Sequence, residues 1–253
     1  MKKRYGQHFI SDRNLLQRIV DLAYIKTDDT VIEIGPGAGS LTRELAAAAK
    51  RVIAIEIDSD LIGKLRRSVP ANVEIIEGYA LDINLDQFTD GPYHLVGNLP
   101  YNVATVLLRK FIAHRARIIE VTVMLQKEVA ERMTATPGGH EYGPLSVLIQ
   151  YYAEPSWGFV VPPGAFTPPP KVESAVVRLD WKPGVADFPA FTDFVHRAFS
   201  SRRKKLINNL AAILHGKTKE DLAEILRSSG VSVDARAETL SIDDFLRVYN
   251  RTL

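Results

Sequence analysis

Residues 30–58 read "TVIEIGPGAGSLTRELAAAAKRVIAIEID", and this stretch decides the fold. The outer runs "TVIEIG" and "RVIAIEID" are short, rich in β-branched residues and apolar on both faces. The run between them, "SLTRELAAAA", is rich in helix formers. Strands that are apolar on both faces are typical of parallel sheets, because helices cover both sides of such a sheet. The stretch is therefore predicted to form a βαβ unit.

The same alternation extends on both sides of this unit. Downstream lie "VEIIEG", "YHLVGNLP", "ATVLLRKFIAH", "IEVTVML" and "KEVAERMTA", and upstream "SDRNLLQRIVDLA" has helical spacing with Ser11 or Asp12 available as N-cap. We predict a doubly wound α/β fold. After the proline-rich loop "VPPGAFTPPPK", the run "ESAVVRLDW" alternates like a late or edge strand, and only helical patterns follow "KPGVADFP". We place one domain at residues 1–184 and a small all-helical domain at residues 185–253.

Composition excludes several classes of protein. The chain has 253 residues, of which 46% are hydrophobic and 25% are charged, as in ordinary globular proteins. No apolar run of about 18 residues occurs, and "MKKRYGQHFISD" lacks the apolar core of a signal peptide, which favours a cytoplasmic location. The absence of cysteine excludes disulfides, thiolate zinc sites and cysteine nucleophiles. The histidines show no metal-ligand spacing, so we expect no bound metal.

The turn "EIGPGAGS" is the first chemical signal. Gly35, Gly37 and Gly39 allow positive φ and let a ligand approach the backbone at a helix N-terminus. Their spacing differs from the G-x-G-x-x-G of dinucleotide folds, and no P-loop is present. Glu56 ends the next strand, where a carboxylate can accept both ribose hydroxyls, and we include its neighbour Ile57 among the cofactor contacts. A purely structural turn is the alternative, but the combination favours an adenosine-type cofactor, and S-adenosylmethionine fits best.

The motif "GNLPYNV" is the second signal, because it follows the apolar run "YHLV". Ligands of open parallel sheets lie beyond the carboxyl ends of the strands, so Asn98 would point into the same crevice as Gly35. Pro100 ends the ladder and leaves the Leu99 carbonyl as a second acceptor beside the amide. Two acceptors match the amino group of adenine, and Tyr101 offers a face for stacking, worth roughly 1–3 kcal/mol per base. A plain strand-exit turn is the alternative.

Several motifs occur together in the order known from one enzyme family. They are "GQHFISD", "EIGPGAGSLT", "IAIEID", "NLPYNV", "MLQKEVAERM", "YGPLSVLIQYY", "FTPPPKVESAVVRL" and "SSRRKKLINNL". From about Tyr5 to the C-terminus the chain resembles the ribosomal RNA adenine N6,N6-dimethyltransferases, and among them the bacterial small-subunit enzymes, whose loss is associated with kasugamycin resistance. "NLPY" with "FTPPPKVESAVVRL" is specific for this family, whereas the glycine turn marks only the wider class of methyltransferases.

The resemblance implies a fold, a reaction and a substrate. The fold is a class I, Rossmann-like S-adenosylmethionine methyltransferase sheet with a small C-terminal helical domain. The reaction is dimethylation of N6 of two adjacent adenines near the 3′ end of 16S ribosomal RNA in the small subunit, late in its biogenesis. Family contacts with S-adenosylmethionine carry over to His8, Ile10, Gly35, Glu56 and Asn98.

One position departs from the family pattern. In "EGYALDI" the family usually has an aspartate after the glycine, and that acid binds the adenine amino group, whereas this chain has Tyr79. We expect the backbone N–H of Ala80 to meet the adenine ring and Tyr79 to stack or bond through its hydroxyl. Asp82 could replace the missing acid only if the loop bends toward the ligand.

The expected chemistry is orientation plus electrostatics. Acceptors at Asn98 and Leu99 would aim the N6 lone pair at the sulfonium methyl, and no strong general base is required because a neutral sulfide leaves. An enzyme that modifies a base must remove it from its stack. Tyr101 on one face and Phe166 of "AFTPPP" on the other would sandwich the extruded adenine. An ordinary packing role is the alternative for Phe166.

The run "SSRRKK" predicts a contact with RNA. Net charge is only +2, but cations cluster at Arg202, Arg203, Lys204 and Lys205, and again at Lys2, Lys3 and Arg4. Such groups neutralise phosphates and make binding salt-dependent. We expect a helix that buries Phe199, Leu206 and Leu210 and turns its cations outward, with a merely solvated helix face as the alternative.

Three classes of function remain open from the sequence alone. The preferred one is a monomeric methyltransferase of the small ribosomal subunit with no membrane partner. A macrolide-resistance type that modifies large-subunit RNA is the second, although "PGGHEYGPLSVLIQ" and the helical tail favour the first. A non-catalytic assembly or transcription factor on the same scaffold is the third, and Tyr79 is the residue that keeps it open.

Overall fold

The computed structural model describes residues 8–185, 189–214 and 216–253, so the basic residues Lys2, Lys3 and Arg4 lie outside the described part. The strands are β1 Phe9–Ile10, β2 Thr30–Ile34, β3 Arg51–Glu56, β4 Val73–Glu77, β5 Tyr93–Asn98, β6 Ile118–Gln126, β7 Ala153–Val161, β8 Phe166–Thr167 and β9 Ser174–Trp181. The helices are α1 Arg13–Leu22, α2 Ser40–Ala48, α3 Ser59–Ser68, α4 Ala104–His114, α5 Lys127–Thr134, α6 Pro144–Tyr152, α7 Pro189–Ala198, α8 Leu206–Ala211, α9 Lys219–Ser228 and α10 Ile242–Asn250.

A seven-stranded, mostly parallel sheet forms the centre of the fold. Its strand order is β4-β3-β2-β5-β6-β9-β7. The first five strands pair in parallel, and β9 is antiparallel to β6. β2 and β3 are buried on both faces, as their apolar patterns indicate. The predicted α/β architecture is confirmed, and the carboxyl ends of β4, β3, β2 and β5 lie side by side along one edge.

Helix α1 shows how local sequence builds this core. The Asp12 side chain caps the helix by accepting bonds from the backbone N–H groups of Asn14 at 2.9 Å and Leu15 at 3.3 Å. Apolar residues at helical spacing then put Leu16 and Ile19 into the core, at 4% and 2% exposure. The helix predicted for this stretch is therefore confirmed, with Asp12 as its N-cap.

A two-stranded ribbon ties the N-terminal segment to the proline-rich loop. β1 pairs antiparallel with β8, so that Phe9 lies opposite Thr167 and Ile10 opposite Phe166. The His8 ring adds a bond, because its Nδ1 lies 2.7 Å from the Pro168 carbonyl oxygen and must donate to it. The ribbon places residues 8–10 beside the carboxyl ends of the strands.

Strand β7 is an element that the sequence patterns did not predict. It forms an edge of the sheet, next to β9. Its sequence, "AEPSWGFVV", contains Pro155 and Gly158, which both argue against a central strand. An edge tolerates them because one side of the strand needs no ladder partner.

The described chain divides into two compact units. Unit one comprises the residues up to Ala130 together with Pro155–Trp181, and unit two comprises Glu131–Glu154 together with Lys182–Leu253. The sequence placed a single boundary near residue 184, whereas residues 131–154 pack with the C-terminal helices. Within unit two, the Tyr151 ring lies 5.0 Å from the Phe191 ring, and the Tyr142 hydroxyl donates to the Leu240 carbonyl at 2.9 Å. The functional roles of the two predicted domains stay predictions.

The prediction that the basic run at residues 202–205 lies on a helix is wrong. Helix α7 ends at Ala198 and α8 begins at Leu206, so the four cations lie in the turn between them. The Asn209 side-chain amide holds this turn by donating to the carbonyls of Ala198 at 2.7 Å and Ser201 at 3.1 Å. The apolar residues flanking the turn are nevertheless buried, since Phe199 is 8% exposed and Leu206 is 0% exposed.

The described residues include neither a membrane-spanning helix nor a metal-binding cluster. No helix among them has the length and apolar character needed to cross a membrane. No group of three or more His, Cys, Asp or Glu side chains in the described ranges could hold a metal ion.

Candidate active site

A cleft lies at the carboxyl ends of β2, β3, β4 and β5, where the sequence predicted a ligand site. The predicted residues that line it are His8, Ile10, Gly35, Gly37, Glu56, Ile57, Tyr79, Ala80, Asn98, Leu99, Pro100 and Tyr101. Gly39 and Phe166 are absent from the described lining: Gly39 is the N-cap of α2, and Phe166 is 3% exposed. Residues from four strand ends and from the N-terminal segment thus meet at one place.

The glycine turn is shaped by bonds to neighbouring strands. The Gly35 N–H donates to the Ile55 carbonyl at 3.0 Å, which binds the turn to β3. Gly37 has φ +56°, and a Cβ built on it would lie 2.6 Å from the Phe9 ring. Phe9 therefore needs a glycine beneath it, and no sequence motif indicated this contact.

Glu56 is buried at the end of β3, with 2% exposure. Its Oε2 accepts from the Gly37 N–H at 2.9 Å and its Oε1 from the Asp58 N–H at 2.9 Å. Burial raises the pKa of this carboxyl, while the backbone bonds from Asp58 and Gly37 oppose that rise. Each carboxylate oxygen accepts about two hydrogen bonds, so both keep capacity for a ribose hydroxyl.

Glu33 is a second buried acid in the cleft, and no sequence motif singled it out. It lies in β2, is 1% exposed and lines the cleft. Its Oε2 has no hydrogen-bond partner among the described residues. Burial raises the pKa of Glu33 to about 8, so the carboxyl is mainly protonated at neutral pH. The sequence feature that could have identified Glu33 is an acid inside the otherwise apolar run "TVIEI".

Asn98 has a defined orientation at the end of β5. Its Nδ2 donates to the His8 carbonyl oxygen at 2.9 Å. A carbonyl only accepts, so this bond decides which end of the amide faces His8 and leaves Oδ1 as an acceptor. The adjacent Leu99 N–H donates to the Met124 carbonyl at 2.9 Å, which holds the strand end in place.

The Tyr101 ring is anchored at both its edge and its face. Its hydroxyl lies 2.6 Å from the Oγ of Ser174, which is 0% exposed, and burial raises the pKa of the phenol. The His8 ring is stacked on Tyr101, with 5.7 Å between centroids and 25° between planes. Phe166 meets the edge of His8 at 6.4 Å. In this structure His8, and not an open slot, separates the two rings expected to sandwich the base.

The loop after β4 carries the residue that departs from the family pattern. The Gly78 N–H donates to the Glu56 carbonyl at 2.8 Å, and the Asp82 N–H donates to the Tyr79 carbonyl at 2.9 Å. Lys110 of α4 holds the loop by donating to the Leu81 carbonyl at 2.8 Å. Tyr79 lines the cleft, whereas Asp82 is exposed and is absent from the described lining. The loop therefore does not bring Asp82 to the cleft as a replacement acid.

Comparison with known proteins connects this cleft to a family. A family model described as "Ribosomal RNA adenine dimethylase" matches residues 1–252. The chain belongs to the ribosomal RNA adenine dimethylase family. This membership confirms the predicted enzyme class, and it confirms the resemblance on which part of the prediction depended.

Individual relatives and solved structures agree with the family assignment. The chain is 41% identical to "Ribosomal RNA small subunit methyltransferase A" of Pelotomaculum thermopropionicum, an alignment that covers 98% of this chain and 90% of that protein. The crystal structure of a dimethyladenosine transferase from Plasmodium falciparum superposes with a TM-score of 0.86 at 28% identity, covering 97% of this chain and 98% of the other. The 23S rRNA methyltransferase ErmE superposes with a TM-score of 0.74 at 27% identity, covering 96% and 98%.

In this dimethylase, two of the four clustered cations are engaged within unit two. Arg202 donates to the Tyr142 carbonyl at 3.2 Å and to the Glu238 carboxylate at 3.3 Å. Lys205 forms an ion pair with Asp234 at 2.6 Å. These bonds hold the turn against neighbouring loops of the same unit.

The other two cations of the dimethylase, Arg203 and Lys204, are exposed. Neither forms an ion pair or side-chain hydrogen bond with the described residues. Their positive charges are therefore available to phosphates, while those of Arg202 and Lys205 are partly neutralised. RNA binding by this turn stays a prediction.

Proposed function

We propose that this protein transfers methyl groups from S-adenosylmethionine to N6 of two adjacent adenines near the 3′ end of 16S ribosomal RNA in the small subunit. The observation that carries the proposal is one cleft that holds an acceptor amide at Asn98, an anchored ring at Tyr101 and a buried acid at Glu56. The small-subunit substrate is supported by the relatives with 41% identity, which are named for that subunit.

The cleft fits the donor. Gly35 leaves room for its amino-acid part beside the turn, the spare capacity of Glu56 suits two ribose hydroxyls, and Ile57 and Ala80 lie where the purine would pack. When bound, S-adenosylmethionine supplies a methyl group on a positively charged sulfur.

Asn98 and Leu99 would hold the acceptor nitrogen. The N6 lone pair of adenine is delocalised into the ring, so the enzyme must orient it toward the methyl group. Oδ1 of Asn98, freed by the bond from Nδ2 to His8, accepts one N6–H, and the Leu99 carbonyl accepts the other. The N6 proton leaves after transfer, and one residual N–H still allows the second methylation.

Tyr101 would receive the extruded adenine on its face. The bond between its hydroxyl and Ser174 fixes the ring plane before RNA arrives, which lowers the entropic cost of stacking. The His8 ring now lies on that face, so the base replaces it or slides beside it. Phe166 could form the second wall only after such a movement.

The test is methyl transfer from labelled S-adenosylmethionine to unmethylated small-subunit particles and, in parallel, to protein-free large-subunit RNA. We expect N6,N6-dimethyladenosine in the small subunit alone. Asn98→Ala serves as the matched variant, and its rate should fall at least about 100-fold, as when one oriented transition-state partner is removed.

Each other outcome has a defined meaning. Label in large-subunit RNA would mean that the protein modifies the same kind of RNA as the 23S rRNA methyltransferase ErmE. Particle binding without any label would support the non-catalytic scaffold. Normal turnover by Asn98→Ala would contradict the assigned role of the amide.

A further inference from the structure

The strand order decides which end of the cofactor lies where. Along the edge of the sheet the cleft residues follow one another as Tyr79 after β4, Glu56 at β3, Gly35 at β2 and Asn98 at β5. The acceptor base lies at Asn98, so the reactive end of the cofactor lies toward β5. With the ribose at Glu56, the purine extends in the opposite direction, to the end of β4. This placement rests on the proposed function.

The chemistry at the end of β4 is that of a phenol. Among the described lining residues the acids are Glu33 and Glu56, which belong to β2 and β3. Tyr79 is the residue of the 78–80 loop with a polar side chain, since Gly78 and Ala80 have none. The loop is held at both ends, by Gly78 on Glu56 and by Lys110 on Leu81.

We propose that the Tyr79 hydroxyl bonds to the substituent at position 6 of the cofactor purine, and that the site therefore discriminates less against a 6-oxopurine cofactor than a carboxylate at this position would. A phenol hydroxyl both donates and accepts. It can accept from an N6 amino group or donate to an O6 carbonyl. An ionised carboxylate only accepts, so it would bind the amine and repel the carbonyl oxygen.

The experiment measures dissociation constants by titration calorimetry for two probes, S-adenosylhomocysteine and S-inosylhomocysteine. The inosyl base carries a proton on N1, which opposes the Ala80 N–H in the wild type and in every variant, so the quantity compared is the ratio of the two dissociation constants in each protein. Tyr79→Asp should increase the preference for the adenosyl probe roughly 10–100-fold over that of the wild type, the effect of opposing two acceptors in a cleft. Tyr79→Phe keeps the ring and should weaken both probes about 3–10-fold.

Tyr24→Phe is the matched control, because Tyr24 is 66% exposed and is absent from the described cleft lining. It should leave both constants unchanged. The inference is overturned if the wild type rejects the inosyl probe as strongly as Tyr79→Asp does, or if Tyr79→Phe binds both probes like the wild type. If the folded wild type does not bind S-adenosylhomocysteine at all, the proposed function fails as well, which separates the two failures.

Discussion

At the scale of single residues, Glu33 places an acid where the sheet needs an apolar side chain. Burial raises the pKa of its carboxyl from the ordinary value of 4.5 to about 8 in the folded protein. The folded protein therefore holds a proton that the unfolded chain has lost between these two pH values. The stability linked to this group is present at low pH and is lost as pH rises toward about 8.

Glu33→Gln removes that titration while keeping the shape of the side chain. Relative to the wild type, the variant should gain about 1.4 kcal/mol of unfolding free energy for each pH unit between about pH 5 and pH 8. Urea unfolding of the ligand-free protein at both ends of this range measures it. Glu154→Gln is the control, because Glu154 is exposed and its substitution removes an acid that does not line the cleft. If the free energy of unfolding of both variants, relative to the wild type, changed with pH in the same way, Glu33 would be ionised over the whole range from pH 5 to pH 8.

Tyr101 allows a second prediction at this scale, because its face and its hydroxyl have separate contacts. Tyr101→Ala removes the stacking surface and should lower kcat/KM for RNA roughly 5- to 150-fold. This loss corresponds to about 1–3 kcal/mol of transition-state stabilisation. Tyr101→Phe loses only the bond to Ser174 and should cost less than about tenfold. Single-turnover rates with saturating S-adenosylmethionine test both variants. Equal losses would mean that the hydroxyl, and not the face, is what the reaction needs.

At the scale of elements, local pattern and packing contribute different information. The β2-α2-β3 unit and helix α4 were predictable, because their apolar and helix-forming residues follow one period without interruption. Strand β7 was not, since Pro155 and Gly158 break the pattern and only an edge position makes them acceptable. The break between α7 and α8 depends on Asn209, which acts across the turn and has no local signature.

The contact between β2 and β5 brings a glycine against the backbone of the neighbouring strand. Gly97 lies opposite Ile34, and a Cβ built on Gly97 would lie 2.6 Å from the Ile34 carbonyl oxygen. Gly97→Ala should therefore destabilise the protein by about 1–3 kcal/mol, since a backbone atom cannot move aside as a side chain does.

The control for this prediction is another glycine with open surroundings. Gly164 has no described atom within 4 Å of its built Cβ, so Gly164→Ala should change the free energy of unfolding by less than about 0.5 kcal/mol. Thermal or urea unfolding of both variants makes the comparison. Similar stabilities would mean that the two strands can separate at little cost.

At the scale of the whole molecule, the cleft combines motifs with long-range contacts. Glu56 and Asn98 were identifiable from sequence because they end strands at the same edge of a parallel sheet. The contacts of His8 with Asn98 and Pro168 were not, because they join residues far apart in the chain through the β1–β8 ribbon. The departure at Tyr79 was visible in sequence, but only the fold shows that Asp82 does not replace the missing acid.

The basic turn carries the last prediction, because it concerns binding of a large RNA rather than the chemistry of one base. Arg203 and Lys204 are the exposed cations of this turn without ion pairs among the described residues, so Arg203→Gln with Lys204→Gln should weaken particle binding. The slope of log K against the logarithm of salt concentration should also become less negative by about 1.4, because each lost contact with a phosphate of single-stranded RNA contributes about 0.7. Lys219→Gln with Arg251→Gln removes the same charge elsewhere in unit two and is the matched control, because both side chains are exposed and neither forms an ion pair with the described residues. If both pairs flatten the slope equally, RNA responds to the overall charge of the protein and the turn is not a specific contact.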